Sequence, residues 1–245
     1  MTFPAWVSVG PWRLHPHTFF EVLAYATGFV TYLVIRSRRG DRIGDADRWS
    51  VLTATIVGAA IGSRLLAWYE SDAASGILNA FGGKTIVGGL LGGWIATELE
   101  KIRRGIRVST GDVYVFPLVI GIAIGRIGCF LSGLPDGTYG VGTTLPWGVD
   151  FGDGVARHPT ALYESLFVVA LGAVLYRTEG RVAPGQLFKT FMLAYLGFRL
   201  AVDTIKPGDP VALGLTAIQW ACLVGVIYCG WLLVRHERVV ALRGT

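Results

Sequence analysis

The chain has 245 residues, of which 52% are apolar and only 16% charged, against roughly a quarter charged in an average soluble domain. A net charge of +5 does not point to nucleic acid in so apolar a chain, because membrane proteins gather Lys and Arg on their cytoplasmic loops whatever their activity. Cys129, Cys222 and Cys229 are too few and too poorly placed for a disulfide framework or a metal knuckle, so free thiols are expected, with no metal and no other cofactor.

The first residues, Met1 to His17, hold Pro4, Trp6, Pro11 and Trp12 but neither a basic start nor a small-residue cleavage site behind an apolar run, so no signal peptide is expected to be removed. Crossing a hydrocarbon core takes roughly 20 mostly apolar residues. Such stretches occur near 18–35, 50–69, 84–99, 112–131, 160–176, 186–204 and 211–234. The expected architecture is an all-α integral membrane protein of about seven transmembrane helices, forming a single membrane domain over 1–245. Lys84 and Glu98 pinch the third stretch, and Glu164 and Lys189 enter the fifth and sixth near their ends.

Alternate loops differ sharply in basic residues. One set holds Arg36, Arg38, Arg39, Arg42 and Arg48, then Lys101, Arg103, Arg104 and Arg107, then Arg177 and Arg181, then Arg235, Arg238 and Arg243; the other holds Arg13, Lys84, Arg157 and Lys206. Basic loops stay in the cytoplasm, so the N-terminus is expected outside and the C-terminus inside. Residues 132–159, rich in Gly, Asp and Pro, then form a small extracytoplasmic cap. Trp12, Trp49 and Trp68 fall where interfacial anchors belong.

A charge within a spanning helix is retained when it faces the protein interior and has a partner. Arg64, Arg126 and Arg199 all fall near the outer ends of their helices, at one level. Arginine keeps its proton, and its planar fork matches phosphate oxygens, so three at one depth would make an anion site at phospholipid headgroup height. The alternative is separate snorkelling to the interface or pairing with Glu21, Glu70 or Asp203. Tyr195, Arg199 and Asp203 are spaced four apart and so share one face of the sixth helix. They form either a self-satisfied ion pair with a tyrosine above it or a phosphate-gripping arginine fixed by an acid and flanked by a phenol donor. Gly88, Gly89, Gly92 and Gly93 on the third helix, with Gly121 and Gly125 on the fourth, read as sites of close helix packing.

Five segments resemble bacterial prolipoprotein diacylglyceryl transferases. Gly62-Ser63-Arg64-Leu65 is similar to that family's G-x-R-L, and Val87-Gly88-Gly89-Leu90 stands where it has H-G-G-L. Gly125-Arg126-Ile127-Gly128-Cys129-Phe130, with Gly133 and Gly137, resembles G-R-x-G-N-F-x-N-G-E-x-x-G. Arg157-His158-Pro159-Thr160-Ala161-Leu162-Tyr163-Glu164 is close to R-H-P-S-Q-L-Y-E, and Tyr195 to Asp203 follows Y-x-x-x-R-x-x-x-E with Asp for Glu. The resemblance implies an enzyme of the bacterial cytoplasmic (inner) membrane. Such an enzyme takes phosphatidylglycerol from the outer leaflet, transfers its diacylglyceryl group to the thiol of a lipoprotein cysteine and releases glycerol 1-phosphate.

On that resemblance Arg126 and Arg199 would hold the phosphodiester, Tyr195 would orient the headgroup and Asp203 would position Arg199. Arg64, Gly88, Gly89, Cys129, Gly137 and His158 would line the substrate. The family's histidine is Val87 here, its two signature asparagines are Cys129 and Ser132, and its glutamate is Leu134. His15, His17 or His158 are the remaining candidates for a base. Cys129 is either a nucleophilic or lipidated thiol, its pKa lowered by Arg126 one turn earlier, or a small filler in the space of an asparagine. The partner is phosphatidylglycerol or another anionic phospholipid, and the acceptor is a protein, a sugar or another lipid. Retained phosphate grip with an altered polar surround leaves two functions in view: a transferase with a changed acceptor, or a non-catalytic lipid-binding accessory protein. A channel or transporter is disfavoured, because the intramembrane charges gather at one depth and line no path.

Overall fold

The computed structural model describes residues 2–70 and 83–243, with side chains described as far as Arg235. Arg238 and Arg243, counted above among the cytoplasmic basic residues, lie beyond those side chains. Among the described residues the chain forms seven α-helices: α1 (Pro16–Arg39), α2 (Asp45–Glu70), α3 (Ile86–Arg103), α4 (Val115–Ser132), α5 (Thr160–Thr178), α6 (Gln186–Val202) and α7 (Ala217–Arg243). Two small antiparallel hairpins accompany them, β1 (Val7–Val9) with β2 (Trp12–Leu14) and β3 (Val149–Asp150) with β4 (Ala156–Arg157).

Local chemistry sets the helix ends. Pro16 opens α1 at its first turn, where a missing N–H costs nothing, and Arg36, Arg38 and Arg39 close it before Gly40, complementing the negative end of the helix dipole. The Thr85 hydroxyl accepts the Gly88 N–H at 3.2 Å and so caps α3. A 3-10 turn at Asp112–Tyr114 leads into α4. The seventh apolar stretch is shortened, because residues 211–216 make a turn with an Ala212–Leu215 bridge and α7 begins only at Ala217.

Among the described residues, five helical segments are long and apolar enough to cross a membrane: Pro16–Arg39, Asp45–Glu70, Asp112–Ser132, Thr160–Thr178 and Ala217–Arg235. The expectation of seven spans is therefore supported for five. α3 carries Glu98, Glu100, Lys101 and Arg103 in its last turns, and α6 has 17 residues, about 26 Å at 1.5 Å per residue.

The chain divides into two compact units. One comprises residues 1–40, 111–191 and 201–207, the other residues 41–110, 192–200 and 208–245. In the first, α4 packs between α1 and α5. A Cβ at Gly128 would stand 2.5 Å from Phe20 Cβ on α1, and one at Gly172 of α5 would stand 2.6 Å from Val119 Cγ1. The expected pair Gly121 and Gly125 makes looser contact with Ala24, at 3.6 and 4.0 Å. Residues 133–159 fold over the end of α4. Phe3 packs on Phe130 and Phe151, and Thr160 Oγ1 donates to Thr138 O at 2.5 Å, tying the start of α5 to this loop. The Asp150 carboxylate collects the N–H groups of Gly152, Asp153 and Gly154 and so forms the β3–β4 turn. Arg157 pairs with Asp153 at 2.6 Å and holds its carboxyl below the usual range.

In the second unit α2 and α3 meet through glycine. A Cβ at Gly62 would lie 2.4 Å from Gly88 O, and one at Gly92 would lie 2.4 Å from Gly58 O. Such backbone approach is the small-residue contact by which helices associate in lipid, where the hydrophobic effect offers no drive. Gly230 on α7 has nothing within 4 Å of its Cβ position. Gly62→Val is expected to force α2 from α3 and lower the melting temperature of the detergent-solubilised protein, whereas Gly230→Ala should be neutral or stabilise by about 0.4–1 kcal/mol. Equal melting temperatures for the two variants would show that the α2–α3 contact is not close-packed.

Candidate active site

The most buried charged residue described in the first unit, Glu164, stands in an ion pair with Arg126. Arg126 lies in the second-last turn of α4 at 7% exposure, and Glu164 in the second turn of α5 is fully buried. Arg126 Nε stands 2.9 Å from Glu164 Oε1. Each occupies the inner face of its helix: Arg126 follows Val119, Ile122 and Ala123, and Glu164 shares its face with Thr160, Ala161 and Val168. The carboxylate balances the guanidinium's charge within the bundle.

Polar contacts continue along α4. Arg126 Nη1 donates to Cys129 Sγ at 3.8 Å, one turn further on. Beyond Ser132 the chain turns at Gly133 (φ +69°) into a 3-10 turn, Leu134–Asp136, closed by Gly137 in the left-handed region (φ +64°). That reversal returns Asp136 over Cys129. From the first turn of α1, His17 Nδ1 comes within 2.6 Å of Asp136 Oδ1. Burial alone would raise the Asp136 carboxyl, but contacts with His17, Cys129 and Thr138 hold it below the ordinary value. The close approach of Gly128 to Pro16 and Phe20 is what places His17 over this end of α4.

His158 is engaged elsewhere in the unit. Its Nδ1 is 3.2 Å from the Tyr163 hydroxyl, which also accepts from Trp147 Nε1 at 2.7 Å. Gly137 is an exposed turn residue. Asp203 is buried and opens a 3-10 turn, because α6 ends at Val202; the expected single face through Tyr195, Arg199 and Asp203 thus crosses a change of helix type. In the second unit, Tyr195 and Arg199 are buried one turn apart on α6, and Arg64 is half-buried near the end of α2. Gly88 is taken up by its contact with Gly62, while a Cβ at Gly89 would lie 3.7 Å from Ala59 O and Ser63 Cβ. Val87, where a histidine was looked for, is buried at 1% exposure.

The sequence profile of the prolipoprotein diacylglyceryl transferase family matches residues 4–235. The chain belongs to this family. A phosphatidylglycerol–prolipoprotein diacylglyceryl transferase of Nitratidesulfovibrio vulgaris (strain DSM 19637 / Miyazaki F) is 33% identical, with 96% of this chain and 94% of that protein aligned. Proteins of the same name from Chromohalobacter salexigens and Methylobacillus flagellatus are 31% and 37% identical, over 93% and 62% of this chain and 91% and 61% of their own lengths.

As a member of the prolipoprotein diacylglyceryl transferase family the chain is a transferase of lipoprotein biosynthesis, and its long apolar helices are those of a membrane protein. In the first unit's polar group, sequence reasoning gave Glu164 and Asp136 no role and named His17 only as a candidate base. Glu164 appeared only as a charge pinching the fifth apolar stretch, although it closes the family-like segment that begins at Arg157. His17 and Asp136 come together only through tertiary packing, and no spacing in the sequence announces it.

Removing one partner of a buried ion pair leaves the other charge uncompensated and costs about 3–5 kcal/mol. Glu164→Ala should therefore lower the melting temperature sharply, while an Arg126→Met, Glu164→Leu double variant should regain most of the stability but no activity. A double variant as unstable as Glu164→Ala would mean that the loss is one of packing and not of charge.

Proposed function

We propose that this protein uses phosphatidylglycerol as donor and transfers its diacylglyceryl group to an acceptor at the outer face of a bacterial cytoplasmic membrane, with its N-terminus outside and its C-terminus inside. The observation that carries the reading is the buried Arg126, already neutralised on one edge by Glu164 at 2.9 Å, in a chain whose relatives are named for this reaction. In the transfer, the acceptor atom bonds to the terminal glycerol carbon of the diacylglyceryl group. The bond from that carbon to the phosphate oxygen breaks, and the acceptor's proton is lost to a base. Glycerol 1-phosphate departs with the bond's electron pair.

Arg126, Arg199 and Arg64 converge in this proposal on the phosphodiester, and their fixed charge favours the transition state because negative charge grows on the departing phosphate. Tyr195 donates to the headgroup and Asp203 fixes the rotamer of Arg199. Gly89, Gly137, Cys129 and His158 border the lipid. Residues 132–159 cap the site on the outer side, within a single membrane domain.

Val87 and Leu134 can neither accept a proton nor orient a hydroxyl or thiol, so the acceptor side of the site departs from the family pattern. This supports an acceptor other than the lipoprotein thiol, such as a sugar hydroxyl or a second lipid. The same two residues carry a second reading, ranked below transfer: an anionic-phospholipid-binding accessory protein without turnover.

Membranes containing the protein, incubated with phosphatidylglycerol labelled in its diacylglyceryl part, separate these readings. Label should pass to an acceptor, and Arg199→Lys should weaken donor binding because the bidentate fork is lost while the charge is kept. Lipid that binds but never gives up its label would leave the accessory protein, and binding untouched in Arg126→Ala and Arg199→Ala would defeat the donor site altogether. For orientation, a cysteine introduced by Asp150→Cys, after Cys129, Cys222 and Cys229 are replaced, should react with an impermeant reagent in intact cells. Reaction only after the membrane is broken would reverse the topology.

A further inference from the structure

We propose that His17, Cys129 and Asp136 form a binding site for a thiophilic divalent metal ion of the Zn2+ class. One ligand atom from each, an imidazole nitrogen, a thiol sulfur and a carboxylate oxygen, lies within 4.8 Å of the other two. Donors of a tetrahedral zinc ion stand roughly 3.3–3.8 Å apart, given bonds of about 2.0–2.3 Å. The triangle therefore needs only small side-chain movement to close on an ion.

The donors come from three places held together by backbone packing. His17 is in the first turn of α1, Cys129 in the last turn of α4, and Asp136 in the 3-10 turn behind it. A further polar group stands behind each of the two outer donors. On the far side of the imidazole, His17 Nε2 stands 3.7 Å from Glu21 Oε2, and the Tyr25 hydroxyl donates to Glu21 Oε1 at 2.9 Å. A carboxylate behind a histidine is the arrangement that fixes ring orientation and raises basicity in metal sites. Thr138 Oγ1 donates to Asp136 Oδ2 at 2.9 Å, so the other oxygen is the one presented to His17. A cysteine filling the space of a lost side chain would need none of these supports.

Charge and softness name the ion. A thiolate and a carboxylate supply two negative charges, matching a divalent cation. Arg126, 3.8 Å from the sulfur, is already balanced by Glu164. Thiolate with imidazole selects Zn2+ or Co2+ over Mg2+ and Ca2+, which prefer oxygen alone. Three protein donors leave one position open, as in catalytic zinc sites, and the His17 side chain is 37% exposed.

The inference does not rest on the transferase reading, because its test involves no lipid. The full-length protein in detergent, stripped with chelator, is titrated with Co2+ and then Zn2+. One equivalent of Co2+ should give a thiolate-to-cobalt charge-transfer band, Zn2+ should abolish it, and Zn2+ should raise the melting temperature. Cys129→Ser should remove the band and Cys222→Ser should retain it. Asp136→Asn, which keeps the shape of the turn, should remove the Zn2+-dependent rise in melting temperature, and Glu21→Gln should weaken binding about 10–100-fold. A wild-type protein with no band, or a band and thermal shift that persist in Cys129→Ser and Asp136→Asn, the mark of an adventitious ion only, would overturn the site.

Discussion

A guanidinium does not give up its proton at any ordinary pH, so an arginine placed inside an apolar helix bundle must be met by an anion from somewhere. In this protein Glu164 meets Arg126, and much of the first unit can be understood from that requirement. α5 must begin where Glu164 falls in its second turn, which is achieved by Pro159 before it and by the Thr160 hydroxyl bonded to Thr138 O. α4 and α5 must then lie close, which Gly172 against Val119 permits. The pair thus balances the buried charge and holds the two helices together at once.

Glycine supplies the other constraint, and in both units it works at the level of backbone geometry. In lipid, two apolar helices gain little by touching unless their backbones come close enough for dense van der Waals contact. Gly62 against Gly88 and Gly92 against Gly58 do this for α2 and α3, and Gly128 against Phe20 does it for α4 and α1. The second case has a chemical consequence. Close approach at Gly128 brings His17 and Glu21 to the end of α4, so a packing contact and a polar cluster share one cause.

The helices and their order were legible in the sequence, because apolar length is a local property. So was the family, through five short segments in order. Of the seven expected spans, five correspond to described helices long and apolar enough to cross a membrane; α6 has 17 residues, and α3 carries Glu98, Glu100, Lys101 and Arg103 in its last turns. Glu164 was visible as a charge but not as a partner, since pairing between α4 and α5 depends on rotation about two helix axes. The cluster of His17, Cys129 and Asp136 was less accessible still. Its members are more than a hundred residues apart at the extreme, and it requires the reversal at Gly133 and Gly137 together with the crossing at Gly128. The small hairpin at Val7–Leu14 carried no alternation long enough to announce a strand pair.

Cys129 stands between the two polar groups of the first unit, with Arg126 one turn before it and Asp136 and His17 beyond it. This position links them electrostatically. A thiolate at Cys129 would lie beside the guanidinium that the donor phosphate is proposed to engage, and two anions cannot both exploit one cation at full strength. A divalent ion on the thiolate would relieve that competition by drawing the sulfur's charge toward itself, leaving Arg126 to Glu164 and the phosphodiester. An asparagine, neutral at every pH, raises no such competition. The replacement of the family's asparagine by Cys129 therefore changes more than the shape of the site, because it introduces a group whose charge must be settled locally, and His17 and Asp136 are the side chains placed to settle it.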